Sequence, residues 1–366
     1  MMDRKFNVSY LMREHLAILE GYKGVEPPET LAAKAMIPLD MVIKLNGNEN
    51  PFGCSPNVYE ALANFKSYHL YPDPEQITIR GVLSKYVAIG TDQIVAGNGC
   101  DELIDLLMRI FLGPGDSVVD CTPTFGMYSF TAKLHGANVV NVPRDENFSV
   151  NIDEVSAELS TRAKIVFIAS PNNPTGNLTP VGHIQRLLDT GAIVVVDETY
   201  HEFCGATVVP LIGKYQNLVV LRTLSKWAGL AGLRFGYGLM SPNLVAQLIR
   251  IKPPYNVNAA AEVAAHASLN DSVYLMRNVS QIVHERDRMS ALLSSLPGVK
   301  PLPSEGNFIL CQFPEGKGPR IYQELALKGI FVRYFDTPRL KDHLRISVGL
   351  TEHTKQLIGA LEEILR

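Results

Sequence analysis

Lys226 sits in the run RTLSKWAGLAGLR, from Arg222 to Arg234, where an amine, two hydroxyls (Thr223 and Ser225) and a guanidinium are spaced to suit a cofactor that is both an aldehyde and an anion. An amine condenses with an aldehyde to a Schiff base, while hydroxyls, an arginine fork and free backbone N–H groups hold a phosphate. Upstream, the apolar run 193–196 ends in Asp197 and Glu198, and Tyr200 follows three residues after Asp197. A carboxylate at such a place can hold a proton on a pyridine nitrogen, which makes the ring an electron sink. Aldehyde, phosphate and pyridine nitrogen together describe pyridoxal 5′-phosphate, and the chain offers a partner for each.

These groups need a scaffold that delivers them to one place. Three continuous apolar runs, 165–169, 193–196 and 218–221, read as buried parallel strands, and α/β sheets place their ligands at the carboxyl ends of such strands. The first run leads into SPNNPTG with Asn172, the second into Asp197, the third into Thr223, Ser225 and Lys226. GNGCDE adds a glycine-rich turn before a helix with an apolar face at Leu103, Leu106, Leu107, Ile110 and Phe111. Free N–H groups near Cys100 and Asp101 would favour a phosphate there; the alternative is a plain N-terminal cap.

From about 45 to about 255, strand and helix patterns alternate, which predicts an α/β fold with a mostly parallel sheet covered by helices on both faces. After PPYNVN, helical patterns at 259–269 and 272–296 precede short strands at 308–312, 330–334 and 344–347 and a helix from Thr351, which predicts a smaller α+β domain. The expected division is 1–45 as an N-terminal arm, 46–255 as the large domain and 256–366 as the small C-terminal domain.

Composition excludes several classes. With 46% hydrophobic and 19% charged residues over 366, the chain has the make-up of an ordinary globular protein. A net charge of −3 offers no long-range attraction to nucleic acid or to an anionic membrane surface. The five cysteines, Cys54, Cys100, Cys121, Cys204 and Cys311, are scattered without CxxC pairs, so no disulfide framework or zinc site is expected and a reducing cytoplasm fits. The first 24 residues interrupt their apolar positions with charges, unlike a secretory signal, and no apolar run reaches the length of a membrane span. His69, His135 and His201 lack metal-ligand spacing.

The chain resembles the fold-type-I pyridoxal-phosphate aminotransferases, in the branch that includes histidinol-phosphate aminotransferase. The likeness is carried by SPNNPTG, VVVDETY and TLSKWAGLAGLRFGY, and by GNENPFG, YPDP, GNGCDE, PTFGMY, PPYNVN, GNFIL and LRISVG, in an order that spans nearly the whole length. The resemblance implies an aspartate-aminotransferase-like large domain, an arm packed with the small domain, and a homodimer with shared active sites. It implies that Asn172 and Tyr200 hydrogen-bond the ring's 3-hydroxyl oxygen and that Phe125 stacks on the ring. Thr223, Ser225 and Arg234 would hold the phosphate, joined across the dimer interface by Tyr71. Arg345 would bind the anionic end of the substrate, Arg333 would supply a second guanidinium for a phosphate, and Tyr22 would reach the substrate from the arm. The activity implied is transamination between imidazole-acetol phosphate plus L-glutamate and L-histidinol phosphate plus 2-oxoglutarate, by a ping-pong course in histidine biosynthesis. An aromatic amino-acid aminotransferase and a phosphothreonine decarboxylase are the alternatives. A non-catalytic binding module is disfavoured by the joint presence of Lys226, Asp197, Tyr200 and Arg234.

Overall fold

The computed structural model describes residues 8–366, so the first seven residues of the expected arm lie outside the described residues. In chain order the first eight strands are β1 (Ile43–Lys44), β2 (Ile94–Asn98), β3 (Ser117–Asp120), β4 (Asn138–Asn141), β5 (Ala163–Ala169), β6 (Ile193–Asp197), β7 (Leu218–Thr223) and β8 (Phe235–Met240). Seven of them form one sheet in the order β2-β8-β7-β6-β5-β3-β4, in which β8 alone runs antiparallel to its neighbours. Alternate residues of the central strands enter two separate cores, with Val194, Val196 and Val220 in one and Val195, Val219 and Leu221 in the other. Both faces are therefore dry, which is why these strands read as unbroken apolar runs.

The remaining strands are β9 (Lys300–Pro301), β10 (Phe308–Gln312), β11 (Ile330–Phe331), β12 (Arg333–Tyr334) and β13 (His343–Ser347). A four-stranded antiparallel sheet has the order β12-β13-β10-β9, and β11 pairs separately with β1 in parallel. The single strand expected at 330–334 is thus two. Its first half bonds to the arm, through Ile43 N–H to Gly329 O and Leu45 N–H to Phe331 O, and its second half bonds to β13. No glycine or proline interrupts the run 330–334, so the change of partner at Val332 leaves no turn signal in the sequence.

The change of character after 255 also differs from the change of packing. Helix Ala259–Asn270 lies against helices Pro56–Asn64 and Ile77–Val87, burying Ala261, Ala264 and Ala265. Methyl side chains allow that close approach, so this helix belongs by contact with the seven-stranded sheet's covering layer rather than with the four-stranded sheet.

Helix Gly99–Phe111 starts directly after β2, and its first turn lies beside β8. A Cβ on Gly236 would fall 2.6 Å from the Cys100 N and 2.7 Å from the Gly99 C, so only glycine lets the helix start sit this close to the sheet. Replacing Gly236 with Ala should cost roughly 1–3 kcal/mol and lower Tm, because the obstacle is backbone rather than a movable side chain. Gly359, inside helix Thr351–Leu365 with open space at its Cβ, should behave oppositely, with Gly359→Ala gaining about 0.5–1 kcal/mol. Thermal unfolding of the two variants checks both signs.

Candidate functional site

A cavity of about 620 Å³ opens at the carboxyl ends of β5, β6 and β7, where Ala169, Asp197 and Thr223 reach its wall. The first turn of helix Gly99–Phe111 closes one side with Cys100 and Asp101, and Arg333 and Arg345 of the four-stranded sheet close another. Tyr22 of the arm and Gly47 complete the enclosure.

Asp197 ends β6 and is buried. Its Oδ1 accepts from the Thr199 N–H (3.0 Å) and the Thr199 hydroxyl (2.5 Å), and its Oδ2 accepts from the Tyr128 hydroxyl (2.6 Å). Burial pushes the carboxyl above its ordinary range, and the bonds from Thr199 and Tyr128 pull it back. Among the described residues no lysine, arginine or histidine pairs with it, so a cation could be added here without displacing one. Tyr128 is held in turn by a stack on Phe167 at 4.8 Å, and Phe125 meets Tyr128 edge-on at 5.5 Å.

Lys226 is partly open to the cavity and enclosed elsewhere, with its Nζ donating to the Gly47 carbonyl at 3.0 Å. Burial pushes the amine down to about 8, helped by the charges of Arg345 and Arg234 and opposed by Glu49 and Asp101. Roughly a quarter of it is then neutral at pH 7.5, where an ordinary lysine offers about a thousandth.

An anion-binding corner lies beside the helix start. Thr223 Oγ1 and Ser225 Oγ are 2.9 Å apart, the Ser225 N–H is bonded to Thr223 Oγ1, and the Arg234 guanidinium lies over Gly99 with Nη2 on Asp101 at 3.0 Å. The Cys100 thiol is turned to the Arg222 carbonyl (3.2 Å), so its offering to this corner is its backbone N–H.

The opposite end of the cavity is cationic. Arg333 and Arg345 face each other in register on β12 and β13. Arg345 donates to Asn173 Oδ1 and to the Asn46 carbonyl, both at 2.6 Å, while its buried Nε has no partner. Burial, with Arg333 alongside, pushes Arg345 down to about 10 against the opposing pull of Tyr200 and Tyr22. Arg333 donates to the Lys23 carbonyl (3.2 Å), and the Tyr22 ring lies 6.4 Å from Phe125. Burial raises the Tyr200 phenol, which accepts from Asn48 Nδ2 at 2.9 Å.

Cys100, Asp101, Phe125, Asp197, Tyr200, Thr223, Ser225, Lys226, Arg234, Tyr22, Arg333 and Arg345 are therefore brought to one cavity. Asn172 is not. Its Oδ1 accepts from Thr124, and its Nδ2 donates to the Pro123 carbonyl and to Thr175, so the amide is spent tying the SPNNPTG turn to Pro123 and Thr124 and the adjacent Asn173 faces the cavity instead. Two consecutive asparagines in an irregular turn carry no periodic signal to tell inward from outward. Tyr71 also lies off this wall, 81% exposed and stacked on Tyr255 at 4.4 Å. Asn48, Tyr128 and Thr199 escaped the sequence reading. The three-residue spacing of Phe125 and Tyr128 was the available signal for the second of them, whereas Asn48 meets Tyr200 across 152 residues of chain.

Residues 40–361 match the family model for aminotransferase class I and II. The chain belongs to this family. This aminotransferase is 47% identical over 367 residues to the histidinol-phosphate aminotransferase of Roseiflexus castenholzii, with 98% of the chain and 99% of the relative covered. It is 45% identical over 359 residues to that of Dehalococcoides mccartyi, at 98% and 99% coverage. Among solved structures it is similar to the Sinorhizobium meliloti histidinol-phosphate aminotransferase in complex with pyridoxal-5′-phosphate, with a TM-score of 0.89, 25% identity and 97% of each chain covered.

The electrostatics of Lys226 can be read without any ligand. In the ligand-free protein, labelling of Lys226 by an amine-reactive reagent, followed by peptide mapping, should rise with pH through a midpoint near 8. Arg345→Met removes a like charge and should move that midpoint up, and Glu49→Gln removes an opposite charge and should move it down.

Proposed function

We propose that this aminotransferase converts imidazole-acetol phosphate and L-glutamate to L-histidinol phosphate and 2-oxoglutarate, using pyridoxal 5′-phosphate in a ping-pong course. The observation that carries the substrate assignment is the pair of facing guanidiniums, Arg333 and Arg345, at the end of the cavity away from the anion-binding corner. One such group suits a carboxylate, and two suit a substrate that also bears a phosphate. The near full-length similarity to the two bacterial relatives points the same way.

The residues present suit the cofactor. A buried carboxylate without a counter-ion suits a protonated pyridine nitrogen, a weakly basic amine suits an aldehyde, and the corner of hydroxyls, N–H groups and Arg234 suits a phosphate dianion. Asp197 would hold the ring nitrogen, Lys226 the aldehyde carbon, Tyr200 with Asn48 the 3-hydroxyl oxygen, and Thr223, Ser225, Arg234 and the N–H groups of Cys100 and Asp101 the phosphate. When bound, the cofactor supplies a cationic ring that takes up the electron pair left as the substrate's Cα–H bond breaks. Asp197 keeps the proton on the ring nitrogen throughout. The Lys226 amine, neutral in a useful fraction near pH 8, would take the proton from the substrate's Cα and deliver it to the cofactor's former aldehyde carbon across the shared nitrogen. Phe125 and Tyr22, whose rings lie 6.4 Å apart on the cavity wall, narrow the cavity and would limit water. Arg345, on the cavity wall beside Arg333, would align the substrate carboxylate through its guanidinium.

We further propose that two chains form a homodimer in which Tyr71 completes the neighbouring subunit's phosphate corner. Its support is the outward, cavity-remote position of the Tyr71 ring together with the exposed Tyr59, Tyr68 and Leu70, apolar groups that a second copy would cover. A cytoplasmic location suits five free cysteines, and no helix of the described residues is long and apolar enough to cross a membrane.

Arg333→Met should reduce kcat/KM for histidinol phosphate by roughly 1.5–3 kcal/mol of transition-state stabilisation while sparing glutamate, since only the phosphorylated substrate needs the second guanidinium. Steady-state kinetics with both donors checks this, and a wild-type preference for phenylalanine would favour an aromatic aminotransferase instead. Mixing inactive Lys226→Ala chains with Tyr71→Ala chains should restore up to about a quarter of the wild-type sites, because a heterodimer then holds one intact site. With subunit exchange verified independently, no recovery would mean that Tyr71 acts within its own chain.

A further inference from the structure

Asp197, Thr223 and Lys226 line the cavity, and each has a sequence neighbour that does not: Glu198, Arg222 and Trp227. Arg222 alternates with Thr223 on β7 and so points to the opposite face, while Glu198, just past the end of β6, and Trp227, in the segment after β7, are buried off the cavity wall. Glu198 and Arg222 are 1% and 4% exposed, and Trp227 is fully buried.

Behind the site Glu198 and Arg222 form one bonded unit. Arg222 Nε and Nη2 converge on Glu198 Oε2 at 3.0 and 2.8 Å. The Thr207 hydroxyl donates to the same oxygen (2.9 Å) and accepts from Arg222 Nη2 (2.8 Å), and the Val208 N–H donates to Glu198 Oε1 (2.6 Å). Both carboxylate oxygens are thereby engaged. The Arg222 carbonyl in turn accepts the Cys100 thiol from the helix start. Trp227 stacks on Tyr86 at 5.5 Å and 5°, and its carbonyl accepts from Asn50 Nδ2.

The location of the pair is what gives it consequence. The register of β6 against β7 ends at Asp197 opposite Leu221. Past that point one backbone bond, Glu198 N–H to Leu221 O, continues the contact, and Thr223 has no ladder partner on the β6 side. The spacing of the two strand ends, just where Asp197 and Thr223 must be aimed, is held by side chains. A buried ion pair is a poor source of net stability, because apolar residues of similar size often do as well. Its distinctive property is directional, since two charges whose bonds converge from Arg222, Thr207 and Val208 on both carboxylate oxygens favour one arrangement.

We propose that Glu198 and Arg222 are positioning residues whose buried ion pair sets the separation and tilt of the β6 and β7 ends, and so aims the Asp197 carboxylate and the Thr223 hydroxyl into the cavity. The proposal rests on the reading of Asp197 and Thr223 as pyridoxal-phosphate ligands. Its test is the double variant Glu198→Met/Arg222→Met of the full chain, in which both charges leave together, compared with wild type by thermal unfolding, by the dissociation constant for pyridoxal phosphate, and by the pH midpoint of the bound cofactor's absorbance. The expected result is cooperative unfolding near the wild-type temperature, with cofactor affinity lowered on the order of tenfold to a hundredfold and the midpoint displaced. Arg222→Lys, which keeps a cation opposite Glu198, should recover part of both. Wild-type affinity and midpoint in the double variant would reduce the pair to a packing feature and overturn the proposal. If the double variant does not fold, Thr207→Val carries the test, since it removes the hydroxyl that both partners share: a few-fold weaker affinity with a displaced midpoint supports the proposal, and unchanged values overturn it. Wild-type protein that binds no pyridoxal phosphate would instead overturn the functional reading, and this proposal with it.

Discussion

Asp197 places an ionisable carboxyl group at the end of a strand whose two faces are both packed, and an ionised carboxylate in such surroundings costs several kcal/mol unless donors or a cation meet it. Three neutral donors meet it, from Thr199 and Tyr128, and they only partly offset the effect of burial. Much of the neighbourhood serves this one requirement. Tyr128 must be fixed for its hydroxyl to point correctly, which the Phe167 stack achieves, and Phe125 then sits against Tyr128 at the cavity wall. What remains unmatched is the negative charge of the carboxylate, which is the feature that suits a protonated ring.

The same economy of charge runs through the rest of the cavity. Lys226, Arg234, Arg333 and Arg345 outnumber Asp101 and Asp197 on its wall, so the cavity carries a surplus of positive charge that anions relieve. Burial, with the charges of Arg345 and Arg234, lowers the basicity of Lys226, which is the condition for an amine that must lose its proton to work. Carbonyl and amide oxygens of Asn46, Asn173 and Lys23 hold the two distal arginines without neutralising them. Those oxygens belong to the arm (Lys23), to the segment just after β1 (Asn46) and to the turn after β5 (Asn173), whereas the arginines belong to the four-stranded sheet, so closing the site requires all of these pieces to be in place.

Chemistry that depends on residue type and local order was open to the sequence. The apolar runs of β5, β6 and β7 announced buried parallel strands, and the groups just past their ends, Asp197 and the Thr223, Ser225 and Lys226 set, could be named because strand ends are where such sheets present side chains. Helix Gly99–Phe111 and its exposed N–H groups followed from a glycine-rich turn ahead of an amphipathic run. What escaped was whatever depended on one of two equivalent local choices. Whether Asn172 or Asn173 turned inward, and whether 330–334 stayed in one sheet, were decided by partners far along the chain: Arg345 for Asn173, and β1 and β13 for the two halves of the strand. The packing of Ala259–Asn270 against earlier helices belongs to the same class. Composition and periodicity constrain a residue through its near neighbours. The pairing of Asn48 with Tyr200, of Arg333 with Arg345, and of Glu198 with Arg222 exists only once the folded backbone has brought separate segments within hydrogen-bonding distance, and that is a property of the tertiary structure alone.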